Sequence, residues 1–187
     1  MNKRLKQVLV TGLVLVGIGV VSRRVEAAQP DTMTLSVTPS GQTYSVVITS
    51  VPNVGYNFGT VTIGGTTVST AAITVANSGG GNSAEYFGMK VSNTNDGWQP
   101  TGPGVDTFRL IGEFGTNQPD EATGFIVGDA ITGSFPGAAA TLYGQSSTKT
   151  SVGNNQKLWL RLEMPTSVNT WSGGAETMTL FIQGQSS

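Results

Sequence analysis

The chain has 187 residues with no His and no Cys. That excludes Ser-His-Asp and Cys-His nucleophile pairs, and every metal or cofactor site that needs a thiolate or an imidazole. Charged residues make up 11% against about 25% in an ordinary domain, and 26 residues are Gly, about twice the usual share.

The first 27 residues read as an export signal. Lys3, Arg4 and Lys6 form a basic start, and Val8 to Val21 follow as 14 uncharged residues, short of the ~20 a spanning helix needs. Val25-Glu26-Ala27 places small or apolar residues at the positions a signal peptidase reads, so cleavage is expected after Ala27. Arg23 and Arg24 are unusual between core and cleavage site, and an uncleaved anchor is the alternative. After cleavage five bases remain, Lys90, Arg109, Lys149, Lys157 and Arg161, against ten acids, a net charge of 5 − 10 = −5. These bases are scattered and the chain is acidic. Nucleic acid is therefore not an expected partner, nor is a membrane once the signal has gone. Exported, cysteine-free and without an Asn-x-Ser/Thr sequon, the chain fits a prokaryotic envelope, with a secreted, cell-surface or periplasmic location.

From residue 28 onward the period is two. Thr32 to Thr38 alternates Met33, Leu35 and Val37 with hydroxyls, and Tyr44 to Ser50 is β-branched. Phe58 to Ile63 alternates up to Gly64-Gly65, a hairpin-type signal, and Val68 to Asn77 continues with Ala71, Ile73 and Val75 in register. Residues 78–83 read as a flexible turn. Glu85 to Ser92 sets Phe87, Met89 and Val91 against Tyr86, Gly88 and Lys90. After a turn-rich stretch at 93–104, Thr107 to Phe114 directs Phe108, Leu110, Gly112 and Phe114 inward. Residues 116–153 are the least regular third. Lys157 to Met164 opposes Leu158, Leu160 and Leu162 to Trp159, Arg161 and Glu163, and Glu176 to Gln183 is the last strand. Eight to ten short strands without an amphipathic helix predict an all-β fold: one antiparallel β-sandwich domain over 28–187.

A family resemblance sits on two segments. Tyr56-Asn57-Phe58-Gly59-Thr60-Val61-Thr62-Ile63-Gly64 is followed by Ile73-Thr74-Val75-Ala76-Asn77-Ser78-Gly79. The pair resembles the signature of abnormal-spindle/hydin-type immunoglobulin-like domains, matching at Gly59, Val61, Gly64, Asn77 and Gly79. The resemblance implies an immunoglobulin-like sandwich and a scaffold or binding module. The stretches at 93–104 and 116–153 exceed a minimal seven-stranded domain, so extra strands and long loops are expected on it. In the residues themselves, the glycine-rich corner permits positive φ, and Asn77 is placed to bond its own backbone at a strand end.

Carboxylates are the only acid/base groups available. Asp120 and Glu121 are adjacent, so on extended backbone they point apart, unlike a glycosidase pair. Asp96, Asp106, Asp120, Glu121 and Asp129 fall in loops where calcium is a chemical option, but no Asp-x-Asp-x-Asp spacing is present. The expectation is no catalytic residue, no metal and no cofactor. Among Lys90, Lys149 and Lys157, a buried Lys-Asn-acid set of the isopeptide kind is disfavoured, because Lys90 alternates with the polar face.

Three tryptophans are the candidate binding residues. Trp98 and Trp171 lie in loops, where a ring stacks on a sugar or anchors a partner, or else plugs the end of the core. Trp159 faces away from the leucines and covers the outer sheet surface, where another subunit has room to pack. Two function classes follow. One is a non-enzymatic structural or interaction protein of the envelope, a filament, fimbrial or surface-layer subunit whose partners are itself or other envelope proteins. The other is a carbohydrate-binding or adhesin module using the loop tryptophans. The strand at 32–38 supplies a route to the first: it can pair with its own sheet, as an ordinary first strand, or add to a neighbour's edge by strand exchange.

Overall fold

The longest strand, Asn155–Glu163, organises the chain around itself. In chain order the strands are β1 Val46–Ile48, β2 Thr66–Val68, β3 Ile73–Asn77, β4 Tyr86–Val91, β5 Arg109–Phe114, β6 Ala130–Ile131, β7 Asn155–Glu163 and β8 Leu180–Gln185. One 3-10 turn, Val127–Asp129, precedes β6. This computed structural model describes residues 45–48, 55–78 and 82–186, all within the unit Gly41–Ser187. The signal at 1–27, the strand at 32–38 and the middle of the turn at 78–83 lie outside the described residues.

The six-stranded sheet runs β1-β3-β7-β5-β6, with β2 also on β7, and β4 and β8 form a second sheet. Every strand pairing is antiparallel. The fold is all-β, and the larger sheet is open, not a barrel. No helix among the described residues is long and apolar enough to cross a membrane.

β7 needs partners along nine residues, and short strands supply them. β5 covers one edge from Leu158 to Glu163. On the other edge β3 pairs with residues 155–158 and β2 with 161–163. Ser69 closes the gap between them: its N–H donates to the Leu160 carbonyl (2.7 Å), and its Oγ accepts from the Leu160 N–H (2.9 Å). A buried hydroxyl thus stands in for a ladder residue. The single strand expected over 68–77 is therefore two, broken at 69–72.

The strand expected over 58–63 is not formed. Gly65 N–H closes a turn on the Thr62 carbonyl (2.8 Å), but the turn joins no hairpin. It docks on the end of β7 instead: Gly64 N–H donates to the Pro165 carbonyl (2.7 Å), and Met164 N–H to that of Gly65 (2.9 Å). Gly64, at φ +73°, permits this approach.

The core forms where the inward faces meet. Phe87, Met89 and Val91 of β4 join Leu110 and Phe114 of β5 and Leu158, Leu160 and Leu162 of β7, as their alternation predicts. Phe87 and Phe114 have ring centroids 5.4 Å apart. Gly112 leaves room for Met89, whose Cε lies 2.8 Å from where a Cβ on Gly112 would sit. Five of the six β5 residues are buried, which alternation does not predict. The cause is residues 115–129, which lie back over the outer face. Trp159 Nε1 donates to the Gly115 carbonyl (3.0 Å), and Arg161 Nη1 to that of Glu121 (3.0 Å). Ile111 and Phe125 are buried outside the inner cluster.

Candidate functional site

The described surface feature best built for contact is a loop end made by residues 93–108 and 165–177. Acidic and amide side chains tie the two segments through backbone N–H groups. Asp106 Oδ1 accepts from Asn169 (2.6 Å) and Thr170 (3.3 Å), and Asp96 Oδ2 from Ser172 (2.5 Å). Asn95 Oδ1 accepts from Thr177 (2.6 Å). Asp96 N–H donates to Glu176 Oε2 (3.3 Å). The Ser172 hydrogen bonds hold the Asp96 carboxyl below its ordinary value, outweighing desolvation. Asp106 adopts φ +53°, a conformation Asp tolerates better than most residues.

Trp171 stands on this pinned loop, 49% exposed, with Nε1 donating to the Gly174 carbonyl (2.9 Å). An exposed ring on a fixed backbone loses little freedom on binding. The other two tryptophans are placed differently. Trp98 is 2% exposed and belongs to the core cluster, so it plugs the core and offers no stacking face. Its Nε1 is buried without a hydrogen-bond partner among the described residues. Trp159 faces outward as its position in β7 predicts, half-buried against the chain's own Gly115.

The acidic residues do not converge. Asp120 Oδ1 closes its own turn on the N–H groups of Ala122 (3.0 Å) and Thr123 (2.9 Å) and on the Thr123 hydroxyl (2.9 Å), which lowers its carboxyl. Among the described residues no group of three or more acidic side chains comes together to hold a metal ion. Lys90 Nζ lies 4.9 Å from the ring centroids of both Phe135 and Phe181, a cation–π setting. Asn77 does not bond its own backbone: Nδ2 donates to the carbonyls of Ser83 (2.9 Å) and Thr150 (3.1 Å).

Of the loop acids, Asp129 is buried, and it lies against Glu113, which the sequence reading did not single out. Glu113 and Asp129 are each 5% exposed and lie together. Ile126 N–H donates to Glu113 Oε1 (3.2 Å), and Tyr143 N–H to Asp129 Oδ1 (2.7 Å). Burial and then the hydrogen bond with Asp129 push Glu113 up to about 7. Burial pushes the Tyr143 hydroxyl up to about 12, so it stays a neutral donor to the Met89 carbonyl (3.4 Å). Glu85 is fully buried, and its carboxyl is raised by that burial against a smaller opposing pull from the Ser45 backbone. Glu113 was findable as a carboxyl inside the apolar run Arg-Leu-Ile-Gly-Glu-Phe. Its burial depends on residues 115–129, whose path no periodicity reveals.

Compared with protein-family models, curated proteins and solved structures, the chain matches none.

Proposed function

We propose that this chain is an exported, non-catalytic structural or interaction protein of the cell envelope, which assembles with its own copies or with other envelope proteins through β-edges. Its fold is read as an immunoglobulin-like sandwich carrying extra strands and long loops. Two antiparallel sheets sharing one core support that reading, as does the abnormal-spindle/hydin resemblance.

The observation that carries the assembly reading is an asymmetry of edges. Along β4, the side away from β8 is capped by the chain itself. Glu85 exchanges backbone bonds with Thr150 (3.0 and 2.8 Å), Phe87 bonds the Gln145 amide, the Met89 carbonyl accepts from the Tyr143 hydroxyl, and Val91 N–H donates to the Thr132 carbonyl (2.9 Å). β8 pairs with β4 alone among the described residues, and its Phe181 is exposed. An edge with free N–H and C=O groups is a template for another strand, and the alternating segment 32–38 has the pattern to fill it. The test is mass in solution across a concentration series of residues 28–187, with negative-stain imaging of the same samples. Filaments or sheets are expected, and deletion of 28–38 is expected to impair them. A monomer at every concentration, or assembly unchanged by that deletion, defeats the reading.

A second reading rests on Trp171: a carbohydrate-binding or adhesin module. The pinned, exposed ring favours it. Glycan-array binding abolished by Trp171→Ala, in a protein that stays monomeric, would establish it.

A further inference from the structure

The geometry points to a second, separate site: a cleft around Arg109 that binds the carboxylate of an acidic saccharide. The cleft is broadly open to solvent, with a volume of about 540 Å³. One wall is the turn-rich loop at Gln99, Thr101 and Gly102, the other is Ala130 of β6 with Thr132 and Gly133 just after it, and Arg109 lies between them.

The charge at the cleft is unbalanced. Glu163 is shared by two guanidinium groups: Oε2 accepts from Arg109 Nη1 (2.9 Å), and Oε1 pairs with Arg161 Nη2 (3.0 Å). Two cations and one carboxylate leave a formal charge of 2 − 1 = +1 on this cluster. Arg161 is the less available of the pair. Its Nη1 is taken by the Glu121 carbonyl, and its Nε is buried. Arg109 is the more exposed, 26% against 18% for the side chains. Among the described residues its Nη2 and Nε have no hydrogen-bond partner, and Nη2 lies 3.4 Å from where a Cβ on Gly102 would sit. A guanidinium already oriented by Glu163 has its remaining N–H groups fixed in plane, the geometry that receives a carboxylate.

The rest of the lining selects the ligand class. Asn93, Gln99, Thr101 and Thr132 bring amides and hydroxyls that suit a polyhydroxylated ligand. Pro100 and Ala130 are the only apolar side chains in it. The inference is independent of both assembly and Trp171.

The test is a glycan array of uronate- and sialate-terminated saccharides, their methyl esters and neutral saccharides, followed by titration calorimetry on the strongest binder. An acidic glycan is expected to bind, with its methyl ester at least about tenfold weaker and affinity falling with salt. Arg109→Gln should weaken binding about tenfold or more. That variant also breaks the Glu163 pair, so Thr101→Glu serves as the second: it leaves the ion pair intact and sets an anion on the cleft wall, with the same loss expected. Several results overturn the site. They are no acidic glycan bound above its ester, binding indifferent to both variants, binding lost in Trp171→Ala instead, or preference for an acidic peptide. Each leaves the assembly reading untouched, because that is scored by mass and imaging.

Discussion

The side-chain amide of Gln145 pairs with both backbone groups of Phe87: Oε1 accepts from the Phe87 N–H at 2.8 Å, and Nε2 donates to its carbonyl at 3.0 Å. One side chain does the work of a strand residue. Nε2 also reaches the Ala139 carbonyl (3.1 Å), so the same amide ties residues 139–145 to β4. Capping this edge is one structural task of the irregular third of the chain.

Removing that amide leaves two buried backbone groups unpaired, at about 1–3 kcal/mol each. Gln145→Leu should therefore destabilise the protein by about 2–6 kcal/mol. Urea unfolding should show a lower midpoint at an unchanged m-value. Gln118→Leu, in an exposed loop, should stay within about 0.5 kcal/mol of wild type. Equal midpoints for the two variants would refute the edge-cap account.

The Glu113–Asp129 pair predicts how stability varies with pH. Glu113 is raised from 4.5 to about 7 in the folded state. Between those values the folded chain keeps a proton that the unfolded chain has released. Stability is then fullest below about pH 4.5, falls as pH rises and levels off above about 7. The difference is on the order of 3 kcal/mol, at about 1.4 kcal/mol per pKa unit. Glu85, raised by burial, acts in the same sense. Asp96 and Asp120, both lowered, act in the opposite sense and only as pH falls below about their ordinary 3.8. Glu113→Gln removes the charge and keeps the size. Thermal unfolding at pH 5 and pH 8 should show a flatter profile for the variant and greater stability than wild type at pH 8. A variant with the wild-type slope would place the titration elsewhere.

Gly112 predicts the cost of filling the closest approach between β5 and β4. A Cβ there would lie 2.8 Å from Met89 Cε, 3.0 Å from Ile131 Cδ1 and 3.3 Å from Leu158 Cδ1. Met89 ends in a flexible arm and can yield; the branched neighbours yield less. Gly112→Val should destabilise by about 1–3 kcal/mol through overpacking. Adding Met89→Ala should cost less in that background than in wild type. Strict additivity in the double-mutant cycle would show that the two positions do not compete for the same space.

The inward faces of β4, β5 and β7 were legible because side chains alternate on a strand. Phe87, Met89, Leu110, Leu158 and Leu160 all lie in the core that the alternation implies. What alternation hides is the partner of each edge. Phe58 to Ile63 alternates too, yet it forms no strand and leads into a turn whose Gly64 and Gly65 bond the backbone of Pro165 and Met164. Ser69 and Gln145 act through side chains that imitate backbone, and no periodicity marks them. The candidate site was legible in part for the same reason. A tryptophan in a polar loop reads alike whether the loop is pinned outward, as at 171, or folded over the core, as at 98.

That contrast yields the last prediction. Trp98 is buried in the core cluster, and Trp171 is about half exposed with a single bond to Gly174. Trp98→Ala should cost about 3–5 kcal/mol through lost burial and the cavity left behind. Trp171→Ala should change stability by less than about 0.5 kcal/mol, since it empties no core site. Acrylamide should quench Trp171 strongly and Trp98 hardly at all, as read in the two single-Ala variants. If Trp98 were the accessible ring, the loop 93–104 would be folded differently, and glycan contact would have to be sought there. If Trp171 alone is accessible and dispensable for folding, it is free to serve a ligand, and its loss isolates binding from stability.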